Sequence, residues 1–385
     1  MRERAAGMPG SAHGMGCRFW GAARRPGWFA VLLIAAGLAA CAGVETSREE
    51  CRRYDGKMMQ PDTNPDAVIA ACTALIASGR ESGMDLLFAL DNRGGAHYRK
   101  KQYDLAIADF DAQIRLDPKL GSAYNNRATA YLNKGQPDRA IEDYDTAIRL
   151  APLAIFFEGR GNAYAVKGDY ERAIADYDEV IRRDAKRASA FYHRGNAYAA
   201  KGEAKRAIED YDAAIRLDPL LVEPFANRGG AYLQAGQPEW AIADYDEAVR
   251  LDPMSSVTVR NRGFAHLAKK DFDRAMVDFD QAIRLDRDNG EAFRGRGFAL
   301  IIKSKDDRGE IDRVLIARAT ADFDEAIRLN AADADAFYGR GVTRIAEGAF
   351  NWGIADFNEA IRQKPGFAEA IAARDLALKV LAGAR

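Results

Sequence analysis

From residue 87 to residue 367 the apolar positions of this chain repeat as a block, not only as a helical stripe. An Arg-Gly pair (once Arg-Ala) marks the block at Arg93, Arg127, Arg160, Arg194, Arg228, Arg262, Arg296 and Arg340, with steps of 34, 33, 34, 34, 34, 34 and 44 residues. With that arginine as position 7, position 8 is Gly or Ala. Position 20 is Ala until Gly353, and position 24 is aromatic throughout, from Phe110 to Phe357. Small residues at 8 and 20 let two helices approach closely, and large rings at 24 fill the space between helix pairs. Gly or Lys at position 15 and Pro at position 32 punctuate helix ends. A fixed period of this length predicts stacked copies of one unit too small to bury its apolar face alone, hence an all-α solenoid.

In the second block, Tyr124, Ala128, Tyr131, Ala140, Tyr144, Ala147 and Pro152 stand at positions 4, 8, 11, 20, 24, 27 and 32. These residues resemble the signature of the tetratricopeptide repeat (TPR), and the resemblance recurs eight times in phase over 87–367. It implies two antiparallel helices per repeat, stacked into a right-handed superhelix that holds protein or peptide partners on its concave face.

Position 7 departs from the family, which uses leucine there. Asp at 23, Asp (once Asn) at 25 and Arg at 29 are equally regular. Arginine 7 is expected to cross to carboxylate 23 of its own repeat, as in Arg194 with Asp210 and Arg228 with Asp244, because an unpaired arginine near that seam is costly. Positions 25 and 29, one turn apart with the acid first, are expected to form a surface pair. The rival reading of the arginines is a ladder for anionic ligands.

The ends break the pattern. Asp66 to Ser78 reads as a second helix of a repeat, and residues 47–60 as its shortened first helix. Residues 41–80 thus form a degenerate half-repeat, with Cys51 and Cys72 expected as a disulfide staple; two buried free thiols are the alternative. Residues 368–385 are expected as a C-terminal capping helix. The seventh repeat carries about ten extra residues near 304–313. There Ile311, Leu315 and Ala319 predict a second helix lengthened by two to three turns, either packed locally or offered as a docking surface.

The first forty residues read as an export signal: Arg24-Arg25, an apolar run from Trp28 to Ala40, then Leu38-Ala39-Ala40-Cys41. The last four resemble the lipobox of bacterial lipoproteins, which implies lipidation of Cys41 and, with Ala42 following, an outer-membrane lipoprotein facing the periplasm. Plain cleavage after Ala42, giving a soluble periplasmic protein, is the alternative. A cytosolic protein requires translation to start after the apolar run. The formal net charge of -1 gives no electrostatic reason for nucleic-acid binding, and loss of residues 1–40 would make the chain more acidic.

On the face that binds ligands in the family, repeats two to four carry small or polar residues, including Asn125, Thr129, Asn133, Glu158, Asn162, Tyr192 and Asn196. In repeats six to eight the same positions turn apolar: Phe264, Leu267, Phe298, Ile301, Ile302, Val342 and Ile345, with Tyr338 among them and Arg260 and Arg294 at the edge. An extended or helical peptide with apolar anchors and an acidic group is the expected occupant; a homodimer or the chain's own helices could cover the face instead. A noncatalytic glycan-binding role for the Asn-rich half is the second reading. His97 and His266 stand at position 11 in place of tyrosine, His193 is isolated and His13 lies in the leader, so no metal or other cofactor is expected. The acids belong to the repeat, and no enzyme is expected.

Overall fold

The computed structural model describes residues 46–51, 64–305 and 310–383. Residues 1–45, with the signal sequence and Cys41, lie outside them, as do most of 47–60, the middle of the 304–313 insertion and the last two residues. After a helical segment at 46–51, the described chain forms α1 (Pro65–Ala77), α2 (Met84–Arg99), α3 (Tyr103–Leu116), α4 (Gly121–Asn133), α5 (Pro137–Leu150) and α6 (Ala154–Val166). It continues through α7 (Tyr170–Arg183), α8 (Ala188–Ala200), α9 (Ala204–Leu217), α10 (Val222–Gln234), α11 (Pro238–Leu251) and α12 (Ser256–Ala268). The last six are α13 (Phe272–Leu285), α14 (Gly290–Lys303), α15 (Arg313–Leu329), α16 (Ala334–Ala346), α17 (Phe350–Gln363) and α18 (Ala368–Gly383). Two compact units divide at Asp169 and Tyr170. Within each, a helix packs on its sequence neighbour, and the first helices of successive repeats touch, α12 on α14 and α14 on α16.

Local chemistry sets the helix ends. Asn64 accepts a hydrogen bond from the Asp66 amide ahead of Pro65, and Pro137 and Pro238 open α5 and α11, where a missing N–H costs nothing. Position 15 turns the chain between the helices of a pair in the left-handed region: Gly135, Gly168, Gly202, Gly236 and Gly348 have φ between +71° and +82°. Lys101 and Lys270 take the same conformation at +58° and +66° without glycine's freedom.

In each unit the core is built on rings at position 24, Tyr144 in the first and Tyr211, Tyr245, Phe279, Phe323 and Phe357 in the second, each at most 2% exposed. A Cβ on Gly195 would stand 2.8 Å from the Tyr211 ring of its own repeat, which is why position 8 stays small. Position 6 closes on the ring from the other side: a Cβ on Gly339 would meet Phe323, in the repeat before it, at 2.3 Å.

At the N-terminal end, Cys51 and Cys72 are joined by a disulfide. Asn92 Nδ2, fully buried, donates to the Cys51 carbonyl at 2.7 Å, tying the same segment to α2. In the seventh repeat the second helix is lengthened by three residues, about one turn, and not by two to three turns. α15 has 17 residues against 14 in α13 and α17, and its Asp312 cap accepts from the amides of Val314 and Leu315. Ahead of it, Lys305 and Ile311 form a bridge and Asp312 N donates to the Ser304 carbonyl at 2.7 Å. An aspartate cap starts the helix there because its carboxylate satisfies two amides at once. α18 buries Ala370 and Ala377 against the stack and leaves Leu376, Leu378 and Val380 exposed.

Candidate partner-binding surfaces

Arginine 7 makes the main polar contact of the fold. Arg194 Nε and Nη2 donate to both oxygens of Asp210 at 2.8 and 2.6 Å, a bidentate fork across the helix pair, while Nη1 donates to Asp178 of the preceding repeat. The same three-way contact joins Arg127 to Asp143 and Asp111, Arg228 to Asp244 and Asp212, and Arg296 to Asp322 and Asp280. Arg262 and Arg340 repeat it. The carboxylates at position 23 are buried, Asp210 to 6% exposure. Hydrogen bonding from Asp210 holds the Arg194 guanidinium above its ordinary pKa, whereas burial pushes the Asp244 and Asp322 carboxyls up against the pull of their arginines. With every donor edge of the guanidinium facing a carboxylate, these arginines hold repeats together and do not present cations to a ligand.

Aspartate 25 is therefore not the partner of arginine 29. It is taken by the arginine of the next repeat, and where a glutamate stands three residues before arginine 29 the two pair: Arg250 to Glu247, Arg328 to Glu325, Arg362 to Glu359. A second ladder, absent from the sequence reading, joins position 14 to position 18 of the preceding repeat: Lys134 to Asp104, Lys167 to Asp138, Lys303 to Asp273. Its signal was present in the sequence as a lysine recurring with an acid thirty residues earlier.

The apolar face expected in repeats six to eight lies on α12, α14 and α16, all within the second unit. Phe264 and Phe298 stand half-buried and edge-on to Phe279 and Phe323, centroids 5.1 Å apart in each case. Phe298 also meets Tyr338 at 6.5 Å, which links the seventh repeat to the eighth, and Tyr338 lies 5.2 Å from Phe367. Leu267, Ile301, Val342 and Ile345 are half-buried beside them, and Ile302 is 45% exposed. Leu315, from the start of α15, packs on the same cluster as Phe298 and Ile301. The edge arginines are engaged: Arg260 Nη1 lies 2.7 Å from Glu291, and Arg294 Nη1 is 3.1 Å from Asp333. An acidic group on a ligand would have to displace these carboxylates, so the apolar side chains carry what this face can offer.

In the polar half, the asparagines hydrogen-bond to one another and to tyrosines. Asn126 Nδ2 donates to Asp91 at 3.0 Å, Asn133 Nδ2 to the Tyr98 hydroxyl at 2.8 Å, and Asn227 Nδ2 to Asn196 at 2.8 Å, which also accepts from the Tyr211 hydroxyl. His193 stacks on Tyr177, and His266 lies 3.8 Å from Asp278. Among the described residues no group of three or more His, Cys, Asp or Glu side chains is placed to hold a metal ion, and no helix is long and apolar enough to cross a membrane.

Helix pairs built on rings, joined by side chains that recur at one interval, define an α-solenoid of the kind that serves as a scaffold. Tetratricopeptide repeat profiles match residues 89–120, 125–185, 158–221 and 227–292, about half of the chain, and the protein belongs to the tetratricopeptide repeat family. Among solved structures it is similar to a tetratricopeptide repeat protein from Parabacteroides merdae, at 18% identity and TM-score 0.52, over 67% of this chain and 98% of that one. A chain of the APC/C hetero-tetramer Cut9–Hcn1 is similar at 17% identity and TM-score 0.54, over 81% of this chain and 59% of its own length. At these identities the likeness is one of fold. No curated protein matches the sequence.

Proposed function

We propose that the protein is a non-enzymatic scaffold of the cell envelope that holds a polypeptide partner on the face formed by α12, α14 and α16. The observation that carries this reading is the run of half-buried apolar side chains on three consecutive first helices, Phe264 and Leu267, Phe298 and Ile301, Val342 and Ile345, where repeats two to four carry Thr129, Asn162 and Asn196 at the position of Phe264, Phe298 and Val342. A solenoid needs its rings at position 24 for stability, but nothing in the repeat requires phenylalanine at position 9, and exposed apolar surface on such a stack favours contact with another chain. A segment with two or three apolar anchors at helical or extended spacing suits this face; an acidic group is not needed.

Export rests on the leader, and anchoring on Cys41. Mass spectrometry of the mature N-terminus tests both: an acylated Cys41 supports the lipoprotein, while an N-terminus at Gly43 means plain cleavage, and an unprocessed chain removes the envelope reading. The binding face is tested by crosslinking and purification from envelope fractions with the wild type and the Phe264→Ala/Phe298→Ala variant. Partners held on this face are expected to fall at least tenfold in recovery with the fold retained by circular dichroism. Unchanged recovery of every partner would overturn the assignment.

A further inference from the structure

The first repeat alone carries glutamine at position 27, and it has an aspartate at the variable position 5; both residues line one cleft. An open cavity of about 320 Å³ lies among the first two turns of α2, the end of α3 and the start of α4. Met84 and Phe88 form apolar walls, 77% and 36% exposed, and Asp85, Asp91 and Asp117 line the same space. Among the described residues no lysine, arginine or histidine lines it.

At position 27 the later repeats carry alanine (Val180 in the third), packed at the centre of the helix pair. Here the residue is Gln113, only 2% exposed. Its Nε2 donates to the Leu87 carbonyl at 2.8 Å and lies 3.4 Å from Asp91 Oδ1, but its Oε1 is buried with no hydrogen-bond partner. A buried acceptor left in that state is unfavourable, and alanine would avoid it. Position 5 holds Asp91, which accepts from Asn126 and Gln113 and has, among the described residues, no cation beside it. Each buried aspartate of the arginine ladder has one. Burial pushes the Asp91 carboxyl above its ordinary value, and the two amide donors only partly oppose this. The cleft thus offers an unneutralised carboxylate and an apolar wall beside a glutamine whose carbonyl is unpartnered, and its charge selects against anions.

We propose that this cleft takes a basic side chain, a lysine or arginine presented by a partner polypeptide, with its charged head at Asp91 and its hydrocarbon stem along Met84 and Phe88. A cation supplies both missing elements, donors for the open acceptors and charge for the carboxylate, while the long stem of a basic residue matches apolar walls. The site belongs to the first unit and does not depend on the face of α12, α14 and α16.

The test uses the full chain and dye-labelled tripeptide amides, Leu-Lys-Leu, Leu-Arg-Leu, Leu-norleucine-Leu and Leu-Glu-Leu, read by fluorescence anisotropy. At least one basic peptide is expected to bind ten times more tightly than the norleucine peptide, and the glutamate peptide not to bind. Asp91→Asn, close to isosteric, should remove that preference. Gln113→Ala, which restores the residue of the other repeats, should raise the melting temperature while weakening the basic peptide several-fold, a combination that a purely structural glutamine would not give. Equal binding of the basic and norleucine peptides, or a preference unaffected by Asp91→Asn, would overturn the proposal. If free cadaverine displaces the basic peptide at the peptide's own concentration, the cleft is a small-amine site and the polypeptide assignment fails.

Discussion

The first and sixth repeats share their frame, down to His97 and His266 at position 11 and Lys101 and Lys270 at position 15, and differ where a cleft or a surface lies. Both place an arginine at 7 on an aspartate at 23, Arg93 on Asp109 and Arg262 on Asp278, and both close a small residue at 8 over a ring at 24, Gly94 over Phe110 and Gly263 over Phe279. At positions 5, 9 and 27 the first repeat has Asp91, Gly95 and Gln113, where the sixth has Arg260, Phe264 and Ala282. The shared positions are those that touch the next helix in every copy, so each is restrained by the same neighbour eight times over. The differing positions face a surface or a cleft, and the repeat does not specify them. One scaffold can therefore present an anionic cleft in one unit and an apolar face in the other without loss of packing.

The strongest way to break this division is at the shared frame. Arg194→Leu leaves Asp210, at 6% exposure, without its bidentate partner and releases Asp178 of the preceding repeat as well. Removing one member of a mostly buried pair typically costs about 3 kcal/mol. A clear fall in melting temperature is expected in thermal unfolding, with partner affinity at the apolar face unchanged in the folded protein. Arg194→Lys should fall between, since lysine cannot form the fork. A leucine variant as stable as the wild type would mean that the ladder is ornament on a frame held by rings alone.

The frame was also what the sequence disclosed best. The period announces the solenoid, and positions 8, 20 and 24 announce which faces close. Less legible was anything set by the distance between repeats. Read along one helix, Asp at 25 and Arg at 29 make an ordinary pair; only when a second copy is stacked does Asp178 stand closer to Arg194 of the next repeat. The lysine ladder escaped notice for the same reason. Gln113 was visible as a departure from alanine, but its unpartnered oxygen depends on Leu87 and Asp91 lying beside it. In the insertion, the apolar spacing of Ile311, Leu315 and Ala319 suggested a long helix, whereas the cap at Asp312 starts it late and leaves Ile311 in the bridge.

A finer test separates two glycines that close on a ring from opposite sides, Gly339 at position 6 and Gly195 at position 8. Phe323 lies between Gly297 of its own repeat and Gly339 of the next, where Cβ atoms would approach to 2.8 and 2.3 Å. The ring has no direction in which to retreat, so Gly339→Ala should cost about 2 kcal/mol through overpacking. Gly195→Ala meets Tyr211 at 2.8 Å, a wider approach than that at Gly339, and the second repeat accommodates Ala128 at the corresponding site with Tyr144. A cost of about 1 kcal/mol is expected there, because overpacking that a neighbouring ring can relieve is cheaper. Equal losses in denaturant unfolding would show that the two sides of each ring are equivalent.

The smallest effect lies where a substitute residue sits in the shared frame. His266 occupies position 11, tyrosine in four other repeats, and is 6% exposed with its Nδ1 unpartnered. Burial lowers its pKa below the ordinary 6.5. Asp278 and Asp271 oppose this, while Arg262 and Arg274 reinforce it. The folded protein thus keeps the ring neutral at a pH where the unfolded chain would protonate it, and the unfolded state binds more protons. The resulting stability is complete above about pH 6.5 and is lost as the pH falls below that value, with a slope that cannot exceed one proton's worth, about 1.4 kcal/mol per pH unit. Unfolding measured at pH 7.5 and 5.5 should show this loss in the wild type and a smaller one in His266→Tyr, which restores the residue of the second to fifth repeats. An identical difference in both proteins would place the acid sensitivity outside the substituted position.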